Sequence, residues 1–220
     1  MLESLTIPRE RLLDPMERIS EVLFALIMVL TFTCSFSVAD AGREQVRAML
    51  VGALGCNLAW GIIDAVFYVM ARFGIRGRAI LTLEMLRQSS SPTEAHQTIA
   101  RALPPLLASV LSPSDLEILR ERLSRVRNIP QRPSLKKRDW LGALGVFLIV
   151  VLSTFPVIIP FALIPDAGKA LRTSNAIAMI MLFVAGYAFG KDAGHRPWTM
   201  AIAMVLLGGA LVGITIALGG

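Results

Sequence analysis

Five apolar stretches punctuate the 220 residues of this chain, and a long polar segment separates the second from the third. Most of them approach the ~20 apolar residues that a helix needs to cross the hydrocarbon core of a bilayer. They are residues 19–39, 46–71, 140–163, 175–189 and 198–218, of which the fourth is the shortest. The pattern predicts an all-α polytopic membrane protein with five transmembrane helices and a small helical cytoplasmic insert between helices 2 and 3.

The composition supports a lipid environment: 55% of the residues are hydrophobic and 17% are charged, whereas soluble domains are about 45–50% apolar and about 25% charged. Cys34 and Cys56 lie inside apolar stretches, which predicts buried residues rather than a disulfide framework. His96 and His195 are too few and too distant in sequence for a zinc site. Because no nucleophilic triad, nucleotide-binding loop or metal-ligand motif occurs in the sequence, we expect no enzyme activity and no cofactor.

The distribution of lysine and arginine predicts the orientation. Eighteen of the 22 basic residues precede span 1, lie between spans 2 and 3, or lie between spans 4 and 5. Since positive residues stay in the cytoplasm, we expect a multi-pass protein of the cell (inner) membrane with its N-terminus inside and its C-terminus outside. The basic run Lys136–Arg138 adjoins span 3, so we interpret it as part of this signal and expect no nucleic-acid partner.

These boundaries divide the chain into residues 1–71 with helices 1 and 2, an insert of residues 72–138, and residues 139–220 with helices 3–5. In the insert, SSSPTEAH and LSPSDLEIL predict two helices capped by Ser91 with Glu94 and by Ser112 with Asp115. A helix before Gln88 brings the expected number to about three. The apolar positions at helical spacing in the last of them are Leu116, Leu119 and Leu123.

Span 1 begins with a charged turn. Asp14 is the predicted N-cap, and Glu17 and Glu21 follow on the same side, with Met28 two turns deeper. Because like charges one turn apart repel, either Arg18 or a bound cation has to offset them. The alternatives are an interfacial capped helix with intrahelical ion pairs and a cation site.

Span 2 carries Asn57 and, seven residues later, Asp64 on the same face. In the expected orientation Asp64 lies in the cytoplasmic half of its span, where it can approach Glu21. An ionisable group at the centre of a membrane helix costs at least ~2.5 kcal/mol and indicates a functional site. The alternatives are a protonated, hydrogen-bonded structural Asp64 and a site for a cation or a proton.

Two further features concern helix packing. Pro156 and Pro160 in span 3 each remove a backbone donor, so we expect the helix to kink or open there. Small residues four apart permit close helix approach, at Gly186 with Gly190 and at Gly209 with Gly213.

The segment ISEVLFALIMVL resembles the opening of the first helix of the vacuolar iron transporter family, through Ser20, Glu21 and Phe24-Ala25-Leu26. FPVIIP resembles the proline-bearing third helix of that family. The resemblance implies export of Fe²⁺ or Mn²⁺ from the cytoplasm in exchange for protons, a homodimer, and a first-helix acid, Glu21, that handles metal and proton.

The sequence departs from the family pattern in two helices. Val22 stands where the family usually has glycine after the acid, and ALGCNLAWG in span 2 lacks the family's methionine. We therefore expect Asp64 to take over the metal-binding role of that methionine, with Asn57 and Cys56 assisting.

The candidate metal- and proton-binding residues are Glu21, Asp64, Asn57, Met28 and Glu17. A second, cytoplasmic set of candidate metal ligands is Glu84, Glu94, Glu117 and Glu121, near His96 and Asp115. Two functions remain open: a transporter that exchanges a divalent metal for protons, and a non-transporting sensor or assembly protein whose insert binds a partner.

Overall fold

The computed structural model describes residue 13 and residues 15–34, 43–126 and 129–217. Over these residues all of the regular secondary structure is α-helical, which confirms the predicted all-α class. The helices are α1 (Pro15–Cys34), α2 (Arg43–Gln88), α3 (Pro92–Ala102), α4 (Pro105–Val110), α5 (Pro113–Ser124), α6 (Lys137–Leu163), α7 (Ala167–Asp192) and α8 (Pro197–Ala217). They form two compact units: a membrane unit of the described residues up to 68 and from 138 onwards, and an insert unit of the described residues 69–137.

Four of these helices, α2, α6, α7 and α8, are long and apolar enough to cross a membrane. Large apolar side chains on α6 and α8 remain exposed, among them Leu152, Trp198 and Leu206 at 58%, 64% and 67%. Such faces suit lipid rather than water. The described part of α1, with Glu17, Arg18 and Glu21 among its 20 residues, is not one of the four.

Helix α2 differs from the prediction because it continues without a break for 46 residues. Residues 43–68 belong to the membrane unit and residues 69–88 to the insert unit. The expected separate helix before Gln88 is therefore the last part of α2. No proline occurs between residues 72 and 88, and glycines such as Gly74 and Gly77 cost only about 1 kcal/mol each without ending a helix.

Helix α7 is longer than the 175–189 prediction at both ends. Asp166 caps it by accepting a hydrogen bond from the Lys169 amide at 2.8 Å, and the chain leaves it through Gly194 at φ +67°. Polar residues in the first turns of α7 lower the hydropathy there, so the hydropathy pattern does not show the start of the helix. Helix α6 continues through both Pro156 and Pro160.

The core of the membrane unit lies between α1, α6 and α7. Its buried residues are Leu23, Leu26, Val29 and Leu30 of α1, Val157 of α6, and Ala178, Leu182 and Ala185 of α7. Helix α1 also packs against α8. One face of α1 is thus committed to the core, and the face bearing Glu21 is turned elsewhere.

Helices α7 and α8 approach closely at the first predicted glycine pair. A Cβ at Gly186 would lie 2.9 Å from the Met200 carbonyl oxygen, and one at Gly190 would lie 2.8 Å from the Pro197 Cα. The second pair does not behave this way: around Gly209 and Gly213 no described atom lies within 4 Å of the Cβ position. The close approach expected there is not found among the described residues, and another face of α8, at Gly208, packs against Leu182.

The insert unit has its own small core of Leu86, Ala95 and Ile99, against which Leu116, Leu119 and Leu123 pack as predicted. Ser112 forms a complete capping box with Asp115. Ser91 also caps its helix, but the Glu94 carboxylate accepts from the Ser90 amide instead of the Ser91 amide. The short helix α4 was not foreseen.

Candidate metal and proton site

Three pairs of side chains connect α1 with α2. They are Met28 with Cys56, whose sulfur atoms are 3.7 Å apart, Phe24 with Trp60, whose rings meet edge to face at 5.2 Å, and Glu21 with Asp64. Each step back along α1 is matched by a step of four residues forward along α2, so the helices run antiparallel. We call these three contacts the α1–α2 ladder.

The last rung of the ladder joins two acids. Asp64 is the charged group that acts most strongly on Glu21, and Glu17 is the next. The charged groups found to act on Glu21 within the described residues are thus both acidic. Arg18, a basic partner predicted from sequence, is exposed and is not among them. The predicted N-cap Asp14 lies outside the described residues.

The hydrogen bond between the Asp64 and Glu21 side chains leaves part of the Asp64 carboxyl group unpaired. Its Oδ2 atom is buried, and no described group forms a hydrogen bond with it. A buried acceptor left unpaired costs about 1–3 kcal/mol. Two neighbouring carboxyl groups without a counter-charge either retain a proton or bind a cation.

Asn57 is the second unpaired polar group on this face of α2. Its side chain is 1% exposed, and neither Oδ1 nor Nδ2 has a hydrogen-bond partner among the described residues. Gly61, one turn later, faces α6, because a Cβ there would lie 3.1 Å from Phe147 Cδ2. Tyr68 packs against Gly142 of the same helix. Asn57 and Asp64 therefore lie on a face of α2 that is covered by neighbouring helices.

Oxygen atoms dominate the ligands that this region offers. Carboxylate and amide oxygens suit Mn²⁺ and Fe²⁺, and the thioether of Met28 is softer. Within the described residues no three His, Cys, Asp or Glu side chains come together. A metal ion held by Glu21 and Asp64 would therefore complete its coordination with other ligands, such as water.

The acids of the insert unit have other partners. Glu117 accepts hydrogen bonds from Arg120, with Nη2 at 2.5 Å, and its carboxylate lies 2.8 Å from His96 Nε2. Arg120 first and His96 second lower the pKa of Glu117 to about 2. Glu121 lies 3.7 Å from Arg125, and Glu94 is used at a helix start.

Glu84 and Asp115 complete the cytoplasmic set. Glu84 is exposed on α2, and hydrogen bonds from Ser112 lower the pKa of Asp115. The structure consequently does not assemble the second set of candidates into a metal-binding group among the described residues.

Two buried hydroxyl groups are not among the site residues predicted from the sequence. Ser153 and Thr154 of α6 are 9% and 0% exposed. They directly precede Phe155 and Pro156 in the stretch STFP. The available signal was a pair of hydroxyls inside an otherwise apolar span.

Comparisons with known proteins identify the family. The model of the VIT family matches residues 85–220, more than half of the chain. Vacuolar iron transporter 1 of Arabidopsis thaliana is 33% identical over 72 residues, which cover 33% of this chain and 29% of that protein. The chain thus matches less than a third of that relative's length. The family match begins within α2, so Glu21, Asn57 and Asp64 precede the matched residues. On the strength of the family match, this multi-pass membrane protein belongs to the VIT family.

Proposed function

We propose that the protein is a secondary transporter that exports a divalent metal ion, Fe²⁺ or Mn²⁺, from the cytoplasm in exchange for protons. The observation that carries the proposal is the contact between Glu21 and Asp64, two acids on adjacent apolar helices without a basic group acting on Glu21 in the described chain. Membership of the VIT family and the name of the Arabidopsis relative support metal transport as the class of function.

The acid pair supplies a mechanism for exchange. When both carboxyl groups are ionised they carry two negative charges, which one divalent ion neutralises. When the ion leaves, two protons restore the same neutrality, since an unpaired carboxylate is costly in a low-dielectric site. Metal and protons therefore compete for one site, and this competition couples their opposite movements. Met28, a softer candidate ligand, lies two rungs away beside Cys56.

The orientation and assembly belong to the same proposal. Helix α1 completes a set of five transmembrane helices, the N-terminus is cytoplasmic, and two copies form a dimer with α1 near the two-fold axis. Cysteines introduced near Lys169 should react with an impermeant reagent outside intact cells, whereas those near Lys191 should not. The mass of the protein in nanodiscs should be that of a dimer.

Transport assays in sealed vesicles test the proposal. Purified protein is reconstituted with a metal-sensitive dye inside, and Mn²⁺ or Fe²⁺ is added outside with and without a pH gradient. We expect metal entry to accelerate when protons can leave, and proton movement to follow a metal gradient imposed alone. Metal flux that ignores the pH gradient would contradict exchange. Metal binding without any flux would point to a sensor.

A further inference from the structure

The amide of Asn57 is buried without a described hydrogen-bond partner. The side chain is 99% buried, and both of its polar atoms lack hydrogen-bond partners within the described residues. Buried polar atoms of native proteins almost always have a partner, either protein or a bound species. Asn57 is seven residues from Asp64, or roughly 10 Å along the helix. It is therefore too far from that carboxylate to be simply part of the same site.

The register between α2 and α6 identifies what lies opposite Asn57. Gly61 faces Phe147 and Val151, and Tyr68, farther along α2, reaches back to Gly142. The helices therefore run antiparallel, and one turn in the other direction, from Gly61 to Asn57, reaches the level of residues 153 and 154 on α6. Thr154 also shares a face with Phe147, since seven residues span nearly two turns.

The two hydroxyl groups at this level can only accept. Thr154 Oγ1 donates to the Val151 carbonyl at 2.7 Å, and Ser153 Oγ donates to the Val150 carbonyl at 2.8 Å. Their protons are thus committed to the backbone, and lone pairs are left to face other groups.

An arrangement of acceptors with one amide donor attracts cations rather than anions. We propose that Asn57 Oδ1 and the hydroxyl oxygen of Thr154 form a second cation site on the transport route, about two helical turns from the acid pair. The site takes a divalent metal ion that retains part of its water shell, because neutral oxygens alone cannot replace that shell or balance two charges. The inference rests on the proposed function and adds a step to it.

A pairing of stability with transport tests this site. If no protein group satisfies Asn57, an apolar residue of similar size removes an unpaired amide without breaking a bond. We therefore expect Asn57→Leu to keep or raise the melting temperature of the full-length protein while Mn²⁺ transport falls at least tenfold. Thr154→Val should reduce transport similarly. Mn²⁺ bound at equilibrium should fall by one ion per chain in Asn57→Leu.

Ser174→Ala provides a matched control. Ser174 is as buried as Asn57, but its hydroxyl donates to the Val157 carbonyl at 2.6 Å. Its loss should lower the melting temperature and leave the metal-to-proton ratio unchanged.

Each outcome separates the second site from the acid pair. Unchanged transport in Asn57→Leu and Thr154→Val, with wild-type exchange intact, would overturn the second site and leave the proposed function standing. Loss of exchange in Asn57→Leu together with a lower melting temperature would mean that Asn57 is structural, if Thr154→Val then transports normally. Absence of coupled flux in the wild type would instead overturn the proposed function. If Asn57→Leu does not fold, Thr154→Val decides alone: full transport rejects the site.

Discussion

The acidic side chains of the two units differ in the partners that surround them. In the insert unit, Glu117 is held by Arg120 and His96, and Asp115 completes a capping box. In the membrane unit, Glu21 meets Asp64, whose buried Oδ2 has no described partner. Acids with donors beside them stabilise a fold. A buried acceptor without a donor, such as Asp64 Oδ2, costs about 1–3 kcal/mol, so an acid in this position favours a bound proton or cation.

The same contrast separates two helix contacts within the membrane unit. Helices α7 and α8 approach so closely at Gly186 and Gly190 that a Cβ there would lie 2.9 and 2.8 Å from atoms of the α8 backbone. The α1–α2 ladder is built instead from a sulfur pair, an aromatic pair and an acid pair. Stability and function are therefore expected to respond to different substitutions.

The largest expected effect concerns the acid pair. Glu21→Gln and Asp64→Asn should each abolish metal-coupled proton movement in vesicles, since an amide can neither bind the second proton nor supply the charge. The folded state should survive, because an amide keeps the shape and hydrogen-bonding capacity of a protonated carboxyl group. Proton flux driven by a Mn²⁺ gradient, measured beside the melting temperature, checks both statements.

Glu94→Gln is the control for these variants. Glu94 accepts from Ser90 at the start of α3, so we expect little loss of transport. A silent Asp64→Asn together with a destabilising Asp64→Leu would mean that Asp64 is a structural hydrogen-bonding group. If Glu94→Gln stopped transport while Asp64→Asn did not, the site would belong in the insert unit.

Local signals in the sequence predicted a good part of this structure. Ser91 and Ser112 begin helices as expected, and Leu116, Leu119 and Leu123 pack on the insert core. These features depend on residues within a few positions of each other, so their physics is local. The approach of Glu21 to Asp64 was also anticipated, from depth and helix direction. Their role in metal and proton binding stays a prediction.

Other features required contacts that a sequence does not display. The proposed role of Thr154 depends on the register of α2 and α6. Contact between Gly61 and Phe147 sets that register. Gly209 and Gly186 carry the same spacing pattern, yet only Gly186 meets a described neighbour. The continuity of α2 is not predicted by the sequence, because the change from apolar to polar residues after residue 71 resembles the end of a helix.

A packing variant should produce an intermediate effect. Gly186→Val places a side chain against the Met200 carbonyl and the Ala201 backbone, at 2.9 and 3.0 Å for its Cβ alone. Overpacking of this kind costs about 1–3 kcal/mol. We expect a lower melting temperature with the metal-to-proton ratio preserved in the surviving protein.

Gly209→Val is the matched control, because no described atom lies within 4 Å of its Cβ position. It should melt close to the wild type. Equal destabilisation by both variants would indicate that a second copy covers the Gly209 face, and the contrast between the two glycine pairs would disappear.

The smallest expected effect is a pH dependence confined to the insert unit. Because Arg120 and His96 lower the pKa of Glu117 from 4.5 to about 2, the folded unit favours the ionised carboxylate. This contribution is complete above pH 4.5 and is lost as the pH falls from about 4.5 towards about 2. The effect should be modest, since the pair with Arg120 is partly exposed.

Hydrogen exchange of α3 and α5 amides in the full-length protein, corrected for intrinsic rates, should show protection falling across this window. In Glu117→Gln the protection should be lower at neutral pH and should change less between pH 4.5 and 2. Glu121→Gln, which alters only the longer contact with Arg125, should retain the wild-type profile. If Glu117→Gln and the wild type lose protection in parallel, the donors around Glu117 do not stabilise the insert unit, and the contrast with Asp64 fails on that side.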